Sequence, residues 1–231
     1  MAATLFSDFL SGILVDVPGC PDVAVEREVR NASIDFFKRS LCWRGMLDSI
    51  QVYAGIGEYS LDSPVSGTRV IRIYGVTLKL PSTDPAVADS VVNLTPKTPQ
   101  ELSAINPSWR IPQIVGVYPS PMATRYYTQD SQSLLLIAGV PTVNGSMDVL
   151  GSLAPTLAST GLDSVMAEDH YEALIHGAKA RLMAIPQKPW SDPALAAYHA
   201  NAFESAISTA NVASAKGFQS HVPLHTKMYL R

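Results

Sequence analysis

The sequence is poor in cysteine, with only Cys20 and Cys42 among 231 residues. The two form no closely spaced pair of the kind that binds zinc or exchanges disulfides. We therefore expect free or buried thiols in a reducing cytosol, with a structural disulfide between them as the alternative.

Export signals and long apolar runs are also missing. The first twenty residues carry Asp8 and Asp16 but no lysine or arginine, so the basic segment of a signal peptide is absent. Apolar stretches such as Leu134–Val140 are far shorter than the roughly 20 residues that span a bilayer. The sequence predicts a protein that is not exported, is assembled in the cytoplasm and has no membrane partner.

Positive charge is not in excess. Seventeen basic residues against twenty acidic ones leave a net charge of −3, which argues against a large electrostatic surface for duplex DNA. The 47% of apolar side chains are enough for a full hydrophobic core.

Helical patterns occupy both ends of the chain. After a first helical segment at Thr4–Leu14, Asp22 is predicted to cap a second helix whose buried face carries Val25, Val29, Ala32 and Phe36. The opposite face carries two acid-first pairs at i,i+4 spacing, Glu26 with Arg30 and Asp35 with Arg39. Near the other end, a helix is predicted over residues 167–184, and Asp192-Pro193 opens a last one. The residues of that last helix expected to face inward are Leu195, Tyr198, Ala202, Phe203, Ile207 and Ala210.

The middle of the chain has the composition of β-strands. The clearest strand is Arg69–Leu80, in which simple alternation places Val70 and Arg72 on the same face. Thr98-Pro99-Gln100-Glu101 is a capping box that predicts a short helix. The sequence predicts an antiparallel sheet interrupted by that helix.

These patterns predict an α+β fold, in which N- and C-terminal helices form a bundle and an antiparallel β-sheet region is inserted between them. The bundle would consist of residues 1–48 and 159–215. The insertion would span residues 49–158, with the short helix near 99–106, and residues 216–231 would form an extended C-terminal arm.

Catalytic motifs are absent. There is no Gly-x-Ser-x-Gly elbow and no phosphate-binding Gly-x-x-x-x-Gly-Lys-Ser/Thr loop. His170 and His176 are six residues apart, which does not suit a helical zinc site. We expect no catalytic residue, no cofactor and no bound metal. The alternative is an enzyme with a site around Asp169, His170 and His176.

The last sixteen residues, Lys216–Arg231, contain no acidic side chain and alternate basic with apolar residues. A frayed terminus is one interpretation. The other, which we favour, is a docking arm that becomes ordered on a grooved, acidic partner. Its candidate contact residues are Lys216, Phe218, His221, Leu224, Lys227, Tyr229 and Arg231.

Several segments occur in a characteristic order and spacing: Arg27–Phe37 leading to Trp43-Arg44, Glu58–Leu61, Leu94–Leu102, His176–Leu182 and Lys188–Pro193. By these segments the chain resembles, over residues 20–210, the bacteriophage head-to-tail adaptor family. The resemblance implies a non-enzymatic virion protein at the head-tail junction, forming a homo-oligomeric ring, a dodecamer, beneath the portal protein ring. It would contact tail, nozzle or tail-terminator proteins, and genomic DNA would pass through its channel without sequence specificity.

A ring requires each subunit to present two different surfaces to its neighbours. The charged face of the second helix, with Glu26, Arg30, Asp35 and Arg39, is the candidate inter-subunit surface. The alternative to an adaptor is a tail-completion or terminator ring of the phage tail.

Overall fold

The computed structural model describes residues 3–81, 90–107, 109 and 124–216. The helices are α1 (Leu10–Leu14), α2 (Asp22–Ser40), α3 (Pro99–Ile105), α4 (Ser164–Asp169), α5 (Tyr171–Met183) and α6 (Pro193–Lys216), with a 3-10 helix at Phe6–Phe9. The strands are β1 (Ala3–Leu5), β2 (Arg44–Met46), β3 (Ile50–Val52), β4 (Glu58–Ser60), β5 (Thr68–Leu80), β6 (Ser90–Pro96), β7 (Tyr126–Ser131), β8 (Leu134–Ala138), β9 (Gly145–Pro155) and β10 (Gly161–Asp163).

The chain divides into two compact units. One consists of Met1–Cys42 with Asp163–Arg231, and the other of Trp43–Leu162. We refer to them as the helical unit and the sheet unit. Within the described part of the chain, no helix has both the length and the apolar composition needed to cross a membrane.

Helix α2 forms the centre of the helical unit. Its predicted buried face is confirmed, because Val25, Val29, Ala32 and Phe36 are all fully buried. Spacings of three and four residues place them on one side of a helix with 3.6 residues per turn. The helix begins at Asp22, one residue after its N-cap Pro21, so the expected capping by Asp22 is wrong. Asp22 lies in the first turn instead, where the helix dipole favours a carboxylate.

The end of α2 is closed by side chains of α6. Leu41 adopts a left-handed conformation with φ of 55° and terminates the helix. Asn211 Nδ2 donates to the carbonyl oxygen of Arg39 at 3.0 Å, and Ser214 Oγ donates to that of Leu41 at 3.1 Å. The last carbonyls of a helix lack partners within it, so these bonds stabilise the end of α2 and attach α6 to it.

Helix α6 begins as predicted, with Asp192 Oδ1 accepting the backbone N–H groups of Ala194 and Leu195 at 3.0 Å each. The predicted inward face is correct for Phe203 and the residues after it but wrong in the first turns. Leu195 and Tyr198 are 46% and 62% exposed. The residues that α6 buries are Ala196, His199, Phe203, Ile207 and Ala210.

The sheet unit contains one eight-stranded sheet in the order β2-β9-β5-β6-β7-β8-β4, with β3 also pairing directly with β9. Strands β6 and β7 are parallel, so the expectation of a purely antiparallel sheet is wrong at this pair. Parallel neighbours need a long crossover connection, and α3 lies in this one. The capping box of α3 is confirmed, since Glu101 N donates to Thr98 Oγ1 at 3.2 Å and Thr98 N to Glu101 Oε2 at 2.8 Å.

The predicted architecture of a helical bundle with an inserted sheet is wrong. Of the described residues 41% are helix and 30% strand, and the curled eight-stranded sheet is a principal component of a mixed α/β fold. The physical reason is that the sheet buries its own core. Its two longest strands bury eight hydrophobic side chains: Val70, Ile73, Val76, Leu78, Met147, Val149, Leu153 and Ala154. A layer with its own core is an independent architectural component rather than an elaboration of a bundle.

Two β-bulges interrupt the pairing of β5 with β9. The register shifts between Val70 and Arg72 and again between Ile73 and Gly75. Each bulge adds one residue and changes which face the following side chains occupy. Val70 and Ile73 are therefore both buried while Arg72 is exposed, and the prediction that Val70 and Arg72 share a face is wrong.

Candidate functional site

The four predicted inter-subunit residues lie along α2 and are partly or fully exposed. Asp35 and Arg39 form the expected i,i+4 ion pair, with 3.7 Å between the Asp35 Oδ2 and Arg39 Nη1 atoms. The expected pair between Glu26 and Arg30 is not among the ion pairs of the described residues. The Arg30 guanidinium lies 5.6 Å from the ring centroid of Phe6 instead.

Asp35 and Arg39 belong to a larger charge network within the helical unit. Both guanidinium Nη atoms of Arg39 bond to the carboxylate of Glu204 on α6, one of them at 2.6 Å. Arg181 of α5 donates to Asp35 Oδ2 at 2.9 Å. The network thus joins α2, α5 and α6. The hydrogen bonds that Arg39 donates to the Glu204 carboxylate lower the pKa of Glu204, and the same bonds raise the pKa of Arg39.

This arrangement shows that half of the candidate inter-subunit set already stabilises its own chain. The exposed fractions of the Asp35 and Arg39 side chains are 37% and 44%, which leaves surface for further contacts. A function of Glu26, Arg30, Asp35 and Arg39 between subunits remains a prediction.

The predicted docking arm lies almost entirely outside the described residues. Lys216 is the last residue of α6 and is exposed. The remaining candidates, Phe218, His221, Leu224, Lys227, Tyr229 and Arg231, are outside the described part of the chain. Their role stays a prediction.

Both cysteines are free, which agrees with the prediction of free or buried thiols. Cys20 is buried, and burial raises the pKa of its thiol. The Sγ atom of Cys42 lies 3.4 Å from Nε2 of His170 and accepts from Ser40 Oγ at 3.2 Å. A thiol beside an imidazole can transfer its proton to the ring.

His170 occupies an apolar environment. Its ring centroid lies 4.8 Å from that of Phe36 and 5.9 Å from that of Phe37. Burial lowers the pKa of His170, with the nearby Asp169 carboxylate opposing the shift. A lowered pKa keeps the imidazole neutral near pH 7, which favours packing over proton transfer at this position.

His176 faces a different neighbour, because its Nδ1 lies 2.7 Å from Nδ1 of His199 on α6. At this distance one ring must donate and the other accept, so the pair holds one proton between the two nitrogens. Burial, together with the positive charges of His176 and Lys179, lowers the pKa of His199, and Asp16 opposes the shift. The sequence pattern does not reveal this contact, since His199 is not among the residues of α6 expected to face inward.

The residues of the alternative enzyme hypothesis therefore do not converge. His170 contacts Cys42 and two phenylalanines, His176 contacts His199, and Asp169 is exposed. Across the described ranges, no three histidine, cysteine or carboxylate side chains are close enough to hold a metal ion. The geometry does not support a catalytic centre around Asp169, His170 and His176.

One cluster in the sheet unit was not anticipated. Its centre is the ring of Tyr74, with the guanidinium carbon of Arg44 4.1 Å and that of Arg72 5.8 Å from the ring centroid. Arg44 and Arg72 both pair in register with Ser152, so they lie on the same face of the sheet. The cluster depends on the two β-bulges of β5, which no residue pattern in the sequence predicts.

Comparison with known proteins gives one family. A model of the SU10 adaptor protein family, a group of phage head-to-tail adaptors, matches residues 5–224. A search of curated proteins found no match. The match spans both structural units and confirms the family that the sequence resembles.

Proposed function

This chain belongs to the SU10 adaptor protein family of phage adaptors, and on that premise we propose that it forms a ring that joins the portal to the tail or nozzle. The single observation that carries the proposal is the family match, which extends over residues 5–224. A structural virion component acts through its surfaces rather than through an active site, and the scattered His and Asp contacts of the helical unit agree with that.

The ring is proposed to be homo-oligomeric, with twelve copies as the resemblance implies, and to continue the DNA channel below the portal. The net charge of −3 supports passage of DNA rather than tight binding, because affinity for duplex DNA depends on neutralising many phosphates. The proposed location is the head-tail junction of the virion.

Negative-stain imaging of the purified chain with and without purified portal rings of the same phage tests this proposal. We expect an additional ring stacked beneath each portal. Rings that cap tail tubes and leave portals bare would instead favour the terminator alternative. Absence of assembly with both partners would overturn the ring proposal in either form.

We further propose that residues 216–231 dock on the portal. Their alternation of basic and apolar side chains supports this, because such a segment can combine charge attraction with insertion of aromatic rings into a groove. Deletion of residues 216–231 should leave the circular dichroism spectrum unchanged, since little of the apolar core pattern of the sequence lies in this segment. Portal binding in a pull-down should fall; unchanged binding would remove the docking arm from the proposal.

A further inference from the structure

The exposed face of the sheet around Tyr74 combines positive charge with apolar side chains. Met46 of β2 lies directly opposite Leu150 of β9 in the register, and they are 56% and 36% exposed. Met46 and Arg44 are two residues apart on β2, so both point to the face that also carries Arg72 and Tyr74. We call Arg44, Met46, Arg72, Tyr74 and Leu150 the sheet-face cluster.

The positive charge of Arg72 has no counter-charge among the ion pairs of the described residues. The carboxylate of Asp148 lies on the same face but forms an ion pair with Lys79. A carboxylate of a partner placed beside the exposed Arg72 guanidinium would be attracted to it and could accept two of its N–H groups.

The composition of the cluster indicates a protein partner. Tyrosine, arginine and methionine are enriched in the centres of protein interfaces, where tyrosine and arginine are also frequent hot spots. Contacts to a nucleic-acid backbone are made by arginine and other polar groups. Exposed methionine and leucine between the charges would contribute little to such contacts. The partner surface should therefore present carboxylates next to an apolar side chain.

The same chain carries such a surface on α4 and the start of α5. Val165 is 56% exposed, and Glu168 and Asp169 follow it at i+3 and i+4, the spacing that places helical side chains on one side. Glu172 in the first turn of α5 adds a third exposed carboxylate. None of the three carboxylates takes part in an ion pair of the described residues. We call these four residues the acidic patch.

We propose that the sheet-face cluster of one copy binds the acidic patch of a second copy, with Arg72 between carboxylates and Val165 against Met46 and Leu150. The proposal rests on the proposed ring function, since a ring joins two different surfaces of neighbouring subunits. Charge complementarity and an apolar centre on both sides support this pairing. Neither surface is self-complementary, so the contact is head-to-tail and extends from copy to copy.

A charge-swap experiment with purified full-length chains tests the pairing. The first variant, Arg72→Glu, keeps its acidic patch; the second, Glu168→Lys with Glu172→Lys, keeps its sheet-face cluster. Mass photometry and sedimentation velocity, with and without portal rings, measure assembly of each chain alone and of an equimolar mixture. Lys38→Glu reverses an exposed charge elsewhere and serves as the matched control, and circular dichroism verifies folding of every variant.

We expect the wild-type chain and Lys38→Glu to assemble, and each swapped variant alone to associate about tenfold more weakly or worse. The mixture should recover assemblies that contain both variants, because the carboxylate introduced by Arg72→Glu in one chain then meets the introduced lysines of the other. Variants that assemble like the wild type, or a mixture that fails to recover, would overturn the inference. So would a wild-type chain that shows no self-association with or without portal rings.

The outcomes also separate this inference from the proposed function. A full ring of Arg72→Glu on the portal would leave the adaptor function standing and remove the pairing. Failure of the wild-type chain to bind portals would count against the adaptor proposal itself. Loss of duplex DNA retention in Arg72→Glu, with assembly unchanged, would assign the sheet face to nucleic acid and also overturn the inference.

Discussion

The helical unit and the sheet unit differ in how their surface charges are paired. In the helical unit, Asp35, Arg39, Arg181 and Glu204 neutralise one another across three helices. In the sheet unit, the guanidinium groups of Arg72 and Arg44 both lie near the ring of Tyr74. Arg72 has no ion-pair partner among the described residues. Charges that are paired within the chain contribute to its own stability, whereas an exposed charge such as that of Arg72, outside the ion pairs of the described residues, points to a partner.

The largest expected effect is a loss of stability when a core side chain of the helical unit is truncated. Phe36 is fully buried and contacts Phe37, His170 and Phe203. We expect Phe36→Ala to lower the free energy of unfolding by about 3–5 kcal/mol, because it leaves a cavity. Urea unfolding followed by circular dichroism measures the change. Val23→Ala on the same helix is the control, since Val23 is 78% exposed, and an equal loss there would contradict the assignment of the core.

Acidification should also destabilise the helical unit. The pKa values of His170 and His199 are lowered in the folded chain, while the unfolded chain takes up protons at the ordinary value of about 6.5. As the pH falls below about 6.5, the unfolded state therefore binds more protons than the folded state. The free energy of unfolding decreases until the pH reaches the lowered pKa values of the folded chain. His199 faces His176, Lys179 and Asp16, so proton uptake would place positive charges together.

Urea midpoints at pH 7.5 and pH 5.5 measure this dependence. The wild-type midpoint should be lower at pH 5.5, and His199→Gln should show a smaller difference between the two values. The idea fails if stability rises on acidification, or if the variant keeps the full pH dependence.

A smaller effect is expected at the start of α3 in the sheet unit. Thr98→Ala removes the side chain that accepts the Glu101 backbone N–H, and losing such a cap costs about 0.5–2 kcal/mol. Urea unfolding followed by tryptophan fluorescence measures it, and Trp109, which packs near α3 and donates to Ser103, contributes to that signal. Thr98→Ser, which keeps the hydroxyl, should retain most of the stability; equal losses in both variants would argue against capping as the cause.

The smallest effect concerns the Arg39 and Glu204 pair, despite its two hydrogen bonds. Both side chains are about half exposed, at 44% and 54%, so solvent screens their attraction. A double-mutant cycle with Arg39→Gln and Glu204→Gln should give a coupling of about 0.2–1 kcal/mol that decreases in high salt. A coupling several times larger and independent of salt would contradict the view of this network as a surface feature.

Much of the helical unit could be predicted because its signals are local. The spacing of Val25, Val29, Ala32 and Phe36 identifies the buried face of α2, and Asp192 identifies the start of α6, as Thr98 does for α3 in the sheet unit. The inward face of α6 was misjudged in its first turns because burial of His199 is stabilised by His176 on another helix. Such a contact leaves no trace in the periodicity of α6 alone.

The sequence by itself determined the positions of the main helices, the β-rich middle and the adaptor family, since propensities, caps and ordered segments act within short stretches of chain. Only the tertiary structure decided the size and mixed pairing of the sheet and the exposure of Arg72 beside Tyr74. Strand order and β-bulges arise from pairing between segments such as β5 and β9 that are far apart in sequence. A single inserted residue in such a pairing reverses the face on which every later side chain lies.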